Sequence, residues 1–254
     1  MAIDKAVDSA QLDAQFSAIA NAIRAKNGSQ STYTPAQMPA AIAAIPAGSA
    51  PRLPAAYQEV EYIQTDGAAY IDTGYVFSGA AQIEIKVYRA STERWNFFGA
   101  DDANNARFSF EAAAKNNIIS FEGSHGSNRL TVSFSYPIQT SGNAFTIHAK
   151  SFPNKLLLID TDYMLYGNNN TSIGTPLTRS SYLLAQNHYD GIRITAETRC
   201  YYCKIWDGQD KTLVRDFVPC YRKADGVIGM YDLANDLFYQ NAAGTGAFSK
   251  GPDV

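Results

Sequence analysis

The spacing of apolar residues along the chain changes once, near residue 57. Before that point they recur at helical spacing, with Leu12, Phe16, Ile19 and Ile23 standing four, three and four residues apart. This predicts an amphipathic helix with a narrow apolar seam. Asp8 or Ser9 suits its cap, Gln11 stands three residues after Asp8, and Asn27-Gly28 suits its end. A second short helix is expected in TPAQMPAAIAAI, started by Thr34 and Pro35, with Met38, Ile42 and Ile45 on one side. Pro39 is awkward there and delays the start by a turn. Two short helices bury little surface alone. The seam of Leu12, Phe16, Ile19 and Ile23 therefore either packs on the rest of the chain or self-associates, as a homotrimer that carries the larger domain.

A stretch with Pro46, Pro51 and Pro54, IPAGSAPRLPAA, follows and reads as an extended, stiff linker. Beyond it the period becomes two. QIEIKVY puts Ile83, Ile85 and Val87 on one face and Gln82, Glu84 and Lys86 on the other. RFSFEA does the same with Phe108 and Phe110, and TVSFSY with Val132, Phe134 and Tyr136. Asp-Gly pairs at 190, 207 and 225 and clusters of Ser, Asn and Gly punctuate these runs. More than ten short strands so punctuated predict a mainly β protein: a two-sheet antiparallel sandwich behind a short α-helical module. The expected domains are residues 1–46 (helical), 47–56 (linker) and 57–254 (sandwich).

Composition narrows the functional classes. A net charge of -3 over 254 residues argues against a partner held through its phosphates, so no nucleic acid is expected. No apolar run approaches the ~20 residues of a membrane-spanning helix, and no membrane insertion is expected. The opening MAIDKAVDSAQLDAQF lacks the basic start and apolar core of a signal peptide, so synthesis in a cytoplasm is expected, with later release by another route. The three cysteines are too few for a disulfide scaffold. Cys200 and Cys203 have metal-like spacing, but they lie in a strand-like stretch, RCYYCKIW. Positions three apart on a strand face opposite sides, so sharing a metal would need a bulge, and buried thiols acting as small hydrophobes are the expectation.

Candidate chemistry is sparse. His125, His148 and His188 each stand apart from other catalytic residue types, and no nucleophile elbow, phosphate loop or zinc-protease motif occurs. Glu59 and Glu61 are close glutamates, in what reads as an opening edge strand, and no enzyme activity is expected. Asp101-Asp102-Ala-Asn104-Asn105 has the oxygen-rich character of a calcium loop, with Asp101 and Asp102 as its carboxylates. Asp160 and Asp162 form a weaker version. No cofactor is expected beyond this possible Ca2+. Saccharide binding needs an aromatic face with amides or carboxylates beside it, a mixture offered by Trp95, Asn96, Asp101 and Asn104. Trp95, Phe97 and Phe98 suit a core equally well, and Trp206 suits a sheet end.

LPAAYQEVEYIQTDGAAYIDTGY resembles the opening, and CKIWDGQDKTLVRDFVPCYRKADGVIGMYDLANDLFYQNAAGTGAFSKG the end, of concanavalin A-like (laminin-G-like) jelly-roll domains in tail proteins of phages and prophages of gut bacteria. LDAQFSAIANAIRAKNGSQSTYTPAQMPAAIAAI is similar to a short helical module of such proteins. The resemblance implies a receptor-binding or tail-fibre protein of the virion, often trimeric, whose partners are a bacterial surface glycan and other phage tail proteins. A decoration or tail-assembly protein without ligand is the alternative. A glycan-cleaving enzyme is weakened by the absence of the E-x-D-x-x-E pattern of glucanases sharing that fold. Within the closing stretch, Val218, Tyr221 and Ile228 suit a buried face, Asp225-Gly226 a hairpin turn, Gly244 and Gly246 a sharply turning tail, and Cys220 a packed thiol. Residues about 90 to 190 carry no matching motif, and the binding site is expected there.

Overall fold

The computed structural model describes residues 9–27, 32–43, 52–89, 95–103, 106–113, 118–125, 128–135, 144–151, 156–159, 162–165, 174–194 and 197–254. The chain divides into two compact units, Met1–Arg52 and Leu53–Val254.

In the first unit, α1 (Ser9–Asn27) and α2 (Met38–Ala43) form a hairpin. Ala20, Ile23 and Met38 are buried together, with Phe16, Tyr33 and Ala41 packed around them. The buried stripe of α1 is thus Phe16, Ala20 and Ile23, at spacings of four and three. It is rotated from the expected seam: Phe16 and Ile23 are used within the chain, while Leu12 and Ile19 remain 38% and 43% exposed. Small Ala20 replaces Ile19 on the contact face. Thr34 starts the second helix by accepting from the N–H groups of Gln37 and Met38 through its carbonyl. Gln37 Oε1 in turn accepts from Thr34 N at 2.9 Å. Pro39 falls in the first turn of α2, where its missing N–H costs nothing. Ile42 is exposed rather than sharing a face with Met38, and Ile45 lies outside the described residues.

The second unit contains β1 (Tyr57–Glu59), β2 (Ile63–Thr65), β3 (Ile71–Val76), β4 (Ala81–Arg89), β5 (Trp95–Asp101), β6 (Arg107–Ala113), β7 (Ile118–His125), β8 (Asn128–Ser135), β9 (Phe145–Lys150), β10 (Leu156–Ile159) and β11 (Asp162–Leu165). It continues with β12 (Ser180–Leu183), β13 (Ala185–His188), β14 (Gly191–Ile194), β15 (Thr198–Asp207), β16 (Thr212–Arg222), β17 (Ile228–Asp232), β18 (Leu237–Gln240) and β19 (Phe248–Lys250). The larger sheet runs β11-β10-β9-β4-β15-β16-β17-β18, with β1 on β16 and β2 between β15 and β19. The smaller runs β14-β13-β5-β6-β7-β8, with β12 on β5 and β3 on β12. One core joins them. Ile83, Ile85 and Val87 of the larger sheet bury with Phe97, Phe98, Ala100 and Phe108 of the smaller, and Phe97 meets Phe145 edge to face. The expected alternation of β4 holds, and Phe97 and Phe98 are core residues.

The sandwich departs from a purely antiparallel one at β13, which pairs parallel with β5. The chain runs antiparallel to β5 as β12 and reverses before β13. Leu184, with φ of 66°, sits at the reversal and donates its N–H to Phe97 O at 2.7 Å. A non-glycine residue in this left-handed region carries strain of about 1–3 kcal/mol, offset here by full burial of the leucine.

Residues 53–56, assigned by composition to the linker, are folded onto this unit. Leu53 is buried with Val218, Cys220 and Tyr231, and Ala56 O accepts from Lys223 N. Tyr57 stacks near Tyr231 and Phe238 in the same cluster. Val218 therefore faces this satellite cluster, whereas Tyr221 and Ile228 pack on the main core, so the three do not share one face. Asp225-Gly226 does form the turn between β16 and β17, closed by Gly226 N to Arg222 O at 2.8 Å.

The tail is pinned by Asp66, whose carboxylate accepts from the N–H groups of Ala68, Ala69 and, across the chain, Ala247. Gly246 is needed beside it: φ is +75°, and a Cβ would lie 2.6 Å from that of Ala68. Gly244 stands in open space and carries no such demand. Desolvation pushes the Asp66 carboxyl up, but the bonds from Ala68, Ala247 and Ala69 outweigh it and hold the group below the ordinary aspartate range. A folded-state value below the unfolded one contributes stability above about pH 4 and loses it as pH falls through the folded value. Thermal melts across pH 2 to 6 should therefore show a smaller acid-induced drop in Tm for Asp66→Asn than for the wild type. Parallel curves would show that Asp66 does not couple protonation to folding.

Candidate functional site

The residues singled out for saccharide or calcium binding do not gather into one site. Asn104 and the Trp95 side chain lie outside the described residues. Asn96 and Asp101 stand toward opposite ends of β5, about 16 Å apart at ~3.3 Å per residue. Asn96 is buried, and its Oδ1 has no partner among the described residues.

Asp101 and Asp102 belong instead to a charged corner where β5, β6 and β13 meet. Pairing of β13 with β5 sets His188 opposite Asp101. Arg107, opposite Asp101 on β6, binds its Oδ2, and His188 Nε2 approaches the same oxygen at 3.2 Å. The other ring nitrogen of His188, Nδ1, meets the Asp190 carboxylate. Arg107, Asp101, His188 and Asp190 thus form one line of alternating partners, with Arg107, Asp101 and His188 buried. Asp102 Oδ2 accepts from Thr178 N at 2.7 Å and Thr178 Oγ1 at 2.9 Å. Its Oδ1 lies 3.3 Å from Arg179 Nε, close enough for an ion pair but too poorly aligned for a hydrogen bond.

Both carboxylates expected to bind calcium are therefore held by cations and hydroxyls. A calcium ion would have to displace the Arg107 guanidinium from Asp101. Among the described residues no group of three or more His, Cys, Asp or Glu is placed to hold a metal. Asp160 and the Asp162 side chain lie outside the described residues. His188 does not stand apart, as it does in the sequence, because Asp101 comes from a distant strand. His148 lies half-buried on β9, its Nδ1 3.2 Å from Glu84 Oε2. The side chain of His125 lies outside the described residues. Glu59 sits in β1 opposite Cys220, and Glu61 follows Val60, whose neighbouring bridge is to Asp253.

A second constellation, on the outer face of the larger sheet, is built by a bulge in β15. Cys200 pairs with Val87 and Cys203 with Ile85, while between them Tyr202 alone faces Lys86. Tyr201 is the extra residue. The bulge resets the pleat, so Cys200 and Cys203 both enter the core and Tyr201 and Tyr202 are both half-buried on the other side. The thiols are free and buried, as expected for small hydrophobes, and burial pushes both well up. Burial also pushes the Cys220 thiol up to about 12. None is a nucleophile in this state.

Cross-strand pairing then assembles the face. Arg199 stands between its register partners Tyr88 and Gln64. Its guanidinium lies 4.5 Å from the centroid of the Tyr62 ring and 4.9 Å from that of Tyr88. Its Nε donates to Gln64 Oε1 at 2.8 Å. Tyr62 tilts against Tyr201 at 5.4 Å, and Lys86 Nζ lies 5.2 Å from the Tyr201 ring. Gly251 backs the Tyr62 ring so closely that a Cβ there would lie 2.8 Å from it. Burial pushes the Tyr202 hydroxyl up to about 12, with the Glu84 carboxylate adding to this against a hydrogen bond with Thr146. Four half-buried tyrosines thus share a surface with two cations, a carboxylate and an amide. Sequence reasoning looked for aromatic platforms at the tryptophans and missed this one. Its local trace is RCYYCKIW, where two buried-type residues flank two tyrosines, a pattern a regular strand cannot satisfy.

No protein-family model matches the chain, and neither does any curated protein. Several solved structures are similar to it. Domains LG4-5 of the mouse laminin alpha1 chain align over 62% of this chain and 43% of that one, at 12% identity and a TM-score of 0.45. The binding domain of botulinum neurotoxin DC, in complex with SialylT, aligns over 50% and 31%, at 15% identity and a TM-score of 0.35. A heptameric SAP-like pentraxin from Limulus polyphemus aligns over 59% and 70%, at 8% identity and a TM-score of 0.33. The chain spans less than half the length of the first two. At identities this low no residue role passes from them to this chain.

Proposed function

We propose that this chain is a phage tail receptor-binding or tail-fibre protein whose β unit binds a saccharide on the bacterial surface. The observation that carries the binding role is the tyrosine face. Tyr62, Tyr88, Tyr201 and Tyr202 offer aromatic surface for sugar rings, beside Gln64, Arg199, Lys86 and Glu84 for hydroxyls. In this reading the ligand sits on β4, β15 and the segment around β2, outside residues 90 to 190. The tail role is supported by the two-part organisation and by the resemblance of the opening and closing stretches to phage tail jelly rolls.

The helical unit is the trimerising part in this reading, through the exposed Leu12 and Ile19 rather than through the whole seam. The protein binds without cleaving, and it reaches its place as part of the virion.

A glycan array with host cells and light scattering tests the proposal. The wild type should bind at least one host polysaccharide as a trimer, and Tyr88→Ala and Tyr201→Ala should each weaken binding about 10-fold or more, since stacking on an aromatic is worth ~1–2 kcal/mol. A folded protein that binds neither host cells nor their polysaccharides would leave the decoration role. New reducing ends on incubation would instead make it an enzyme.

A further inference from the structure

We propose that the tyrosine face selects an acidic saccharide, with a sugar carboxylate held by Arg199 and assisted by Lys86. The proposal rests on the saccharide-binding reading and specifies its ligand class.

Arg199 is placed for this role before any ligand arrives. Tyr62 and Tyr88 flank its guanidinium, and Gln64 takes its Nε–H, so its orientation is set from three sides. A hydrogen bond with the Tyr201 hydroxyl uses one further donor. A guanidinium carries five N–H donors, so three remain for a partner. The groups that fix it are all neutral. Among the described residues neither Arg199 nor Lys86 has a carboxylate within ion-pair distance. Three other cations of this sheet do: Lys204 approaches Asp216 at 3.7 Å, Arg215 approaches Asp232 at 3.6 Å, and Arg222 binds Asp225 at 2.7 Å. The acidic groups beside this cluster are Glu84, which bonds the Tyr202 hydroxyl and lies 3.2 Å from His148 Nδ1, and exposed Glu61, which acts on the Tyr201 hydroxyl through space.

A planar, fixed fork with spare donors matches the two oxygens of a carboxylate. Lys86 adds a second positive charge 5.2 Å from the centroid of the Tyr201 ring. A neutral sugar would stack on the tyrosines equally well but would leave this charge unanswered. A sugar acid, of the uronic or sialic class, places a carboxylate within a bond or two of the ring that stacks. The face needs no rearrangement for this, since the Arg199 guanidinium is already flanked by the two rings.

The test uses the full-length protein and three probes: an oligogalacturonate, the same oligomer with its carboxyls reduced to alcohols, and that reduced oligomer bearing sulfates. Polysialic acid serves as a second carboxylate source. Affinity is read by calorimetry at low and at physiological salt. At least one carboxylate probe should bind, its reduced or sulfated counterpart at least 10-fold more weakly, and affinity should fall as salt rises. Arg199→Gln should lose about 10-fold for the acidic probe and bind it no better than its reduced counterpart. The comparison of probes on the wild type stands even if that variant folds poorly. Equal binding of the acidic and reduced probes, or of the sulfated one, overturns the carboxylate assignment and leaves saccharide binding intact. Binding of neutral host saccharides alone does the same. Failure of every saccharide overturns both.

Discussion

Deleting Lys204 from β15 will unfold or strongly destabilise the β unit, whereas deleting Tyr201, three residues away, will leave it folded. The difference follows from the bulge. Tyr201 is the residue without a partner on β4, so its loss lets Cys200, Tyr202 and Cys203 alternate as in a regular strand. Cys203 and Ile205 keep their places opposite Ile85 and Ile83, and the core is untouched. A cost of at most about 1–2 kcal/mol is expected, as for a half-buried surface change.

Deleting Lys204 has no such outlet. If the bulge is kept, Ile205 is thrown out of the core and Trp206 turned inward. If the bulge closes instead, Ile205 keeps its place but Tyr202 must enter the space of Cys203, a phenol ring in a thiol-sized slot. The first route loses a buried isoleucine and the second overpacks the core, and either costs about 3 kcal/mol or more. Urea denaturation of the two deletions measures the difference. Equal stabilities would show that the bulge does not set the pleat of β15. The Tyr201 deletion has a second use, because under the proposed function a folded protein lacking one tyrosine of this face should lose saccharide affinity without losing its core.

The other large effect is expected at the charged corner. Arg107→Leu should destabilise the β unit by about 3–5 kcal/mol, because it leaves the Asp101 carboxylate buried beside His188 without its guanidinium partner. The penalty comes from the stranded charge more than from the lost bond. Asp101→Asn in the Arg107→Leu background should therefore recover part of the loss, and a double-mutant cycle in urea separates the two contributions. A cost below about 1 kcal/mol for Arg107→Leu alone would mean that Asp101 is answered by other groups. The same result would reopen Asp101 as a ligand for a cation.

Different parts of this molecule were legible in the sequence to different depths. The inward face of β4 could be read directly, because Ile83, Ile85 and Val87 alternate with polar residues and the period of a strand is local. The turn at Asp225-Gly226 was legible for the same reason: Gly226 takes the φ of +72° that its turn requires, and the chemistry lies in the turn itself. The helical seam was half legible. Its period was right, but which side of α1 is buried depended on α2, whose short helix chose Ala20 over Ile19. The linker misled at Leu53, since prolines announce an extended chain and say nothing of what an adjacent leucine finds to cover.

The candidate sites lay deepest. Trp95, Asn96, Asp101 and Asn104 are neighbours along the chain, and a strand separates such neighbours by several ångströms per residue while bringing distant segments together at about 5 Å. His188 meets Asp101, and Tyr62, Tyr88 and Arg199 meet one another, only because β13 lies on β5 and β15 lies between β4 and β2.

By itself the sequence determined the two-part organisation, the β class of the larger unit, the buried character of its three thiols and the places where it turns. These depend on periodicity, side-chain polarity and turn chemistry, which act over a few residues. Tertiary structure alone decided the parallel pairing at β13, the bulge that sends Tyr201 and Tyr202 to one face, and the company each charged or aromatic side chain keeps. Those are settled by which strands pair and in what register, and register is chosen by the whole core at once.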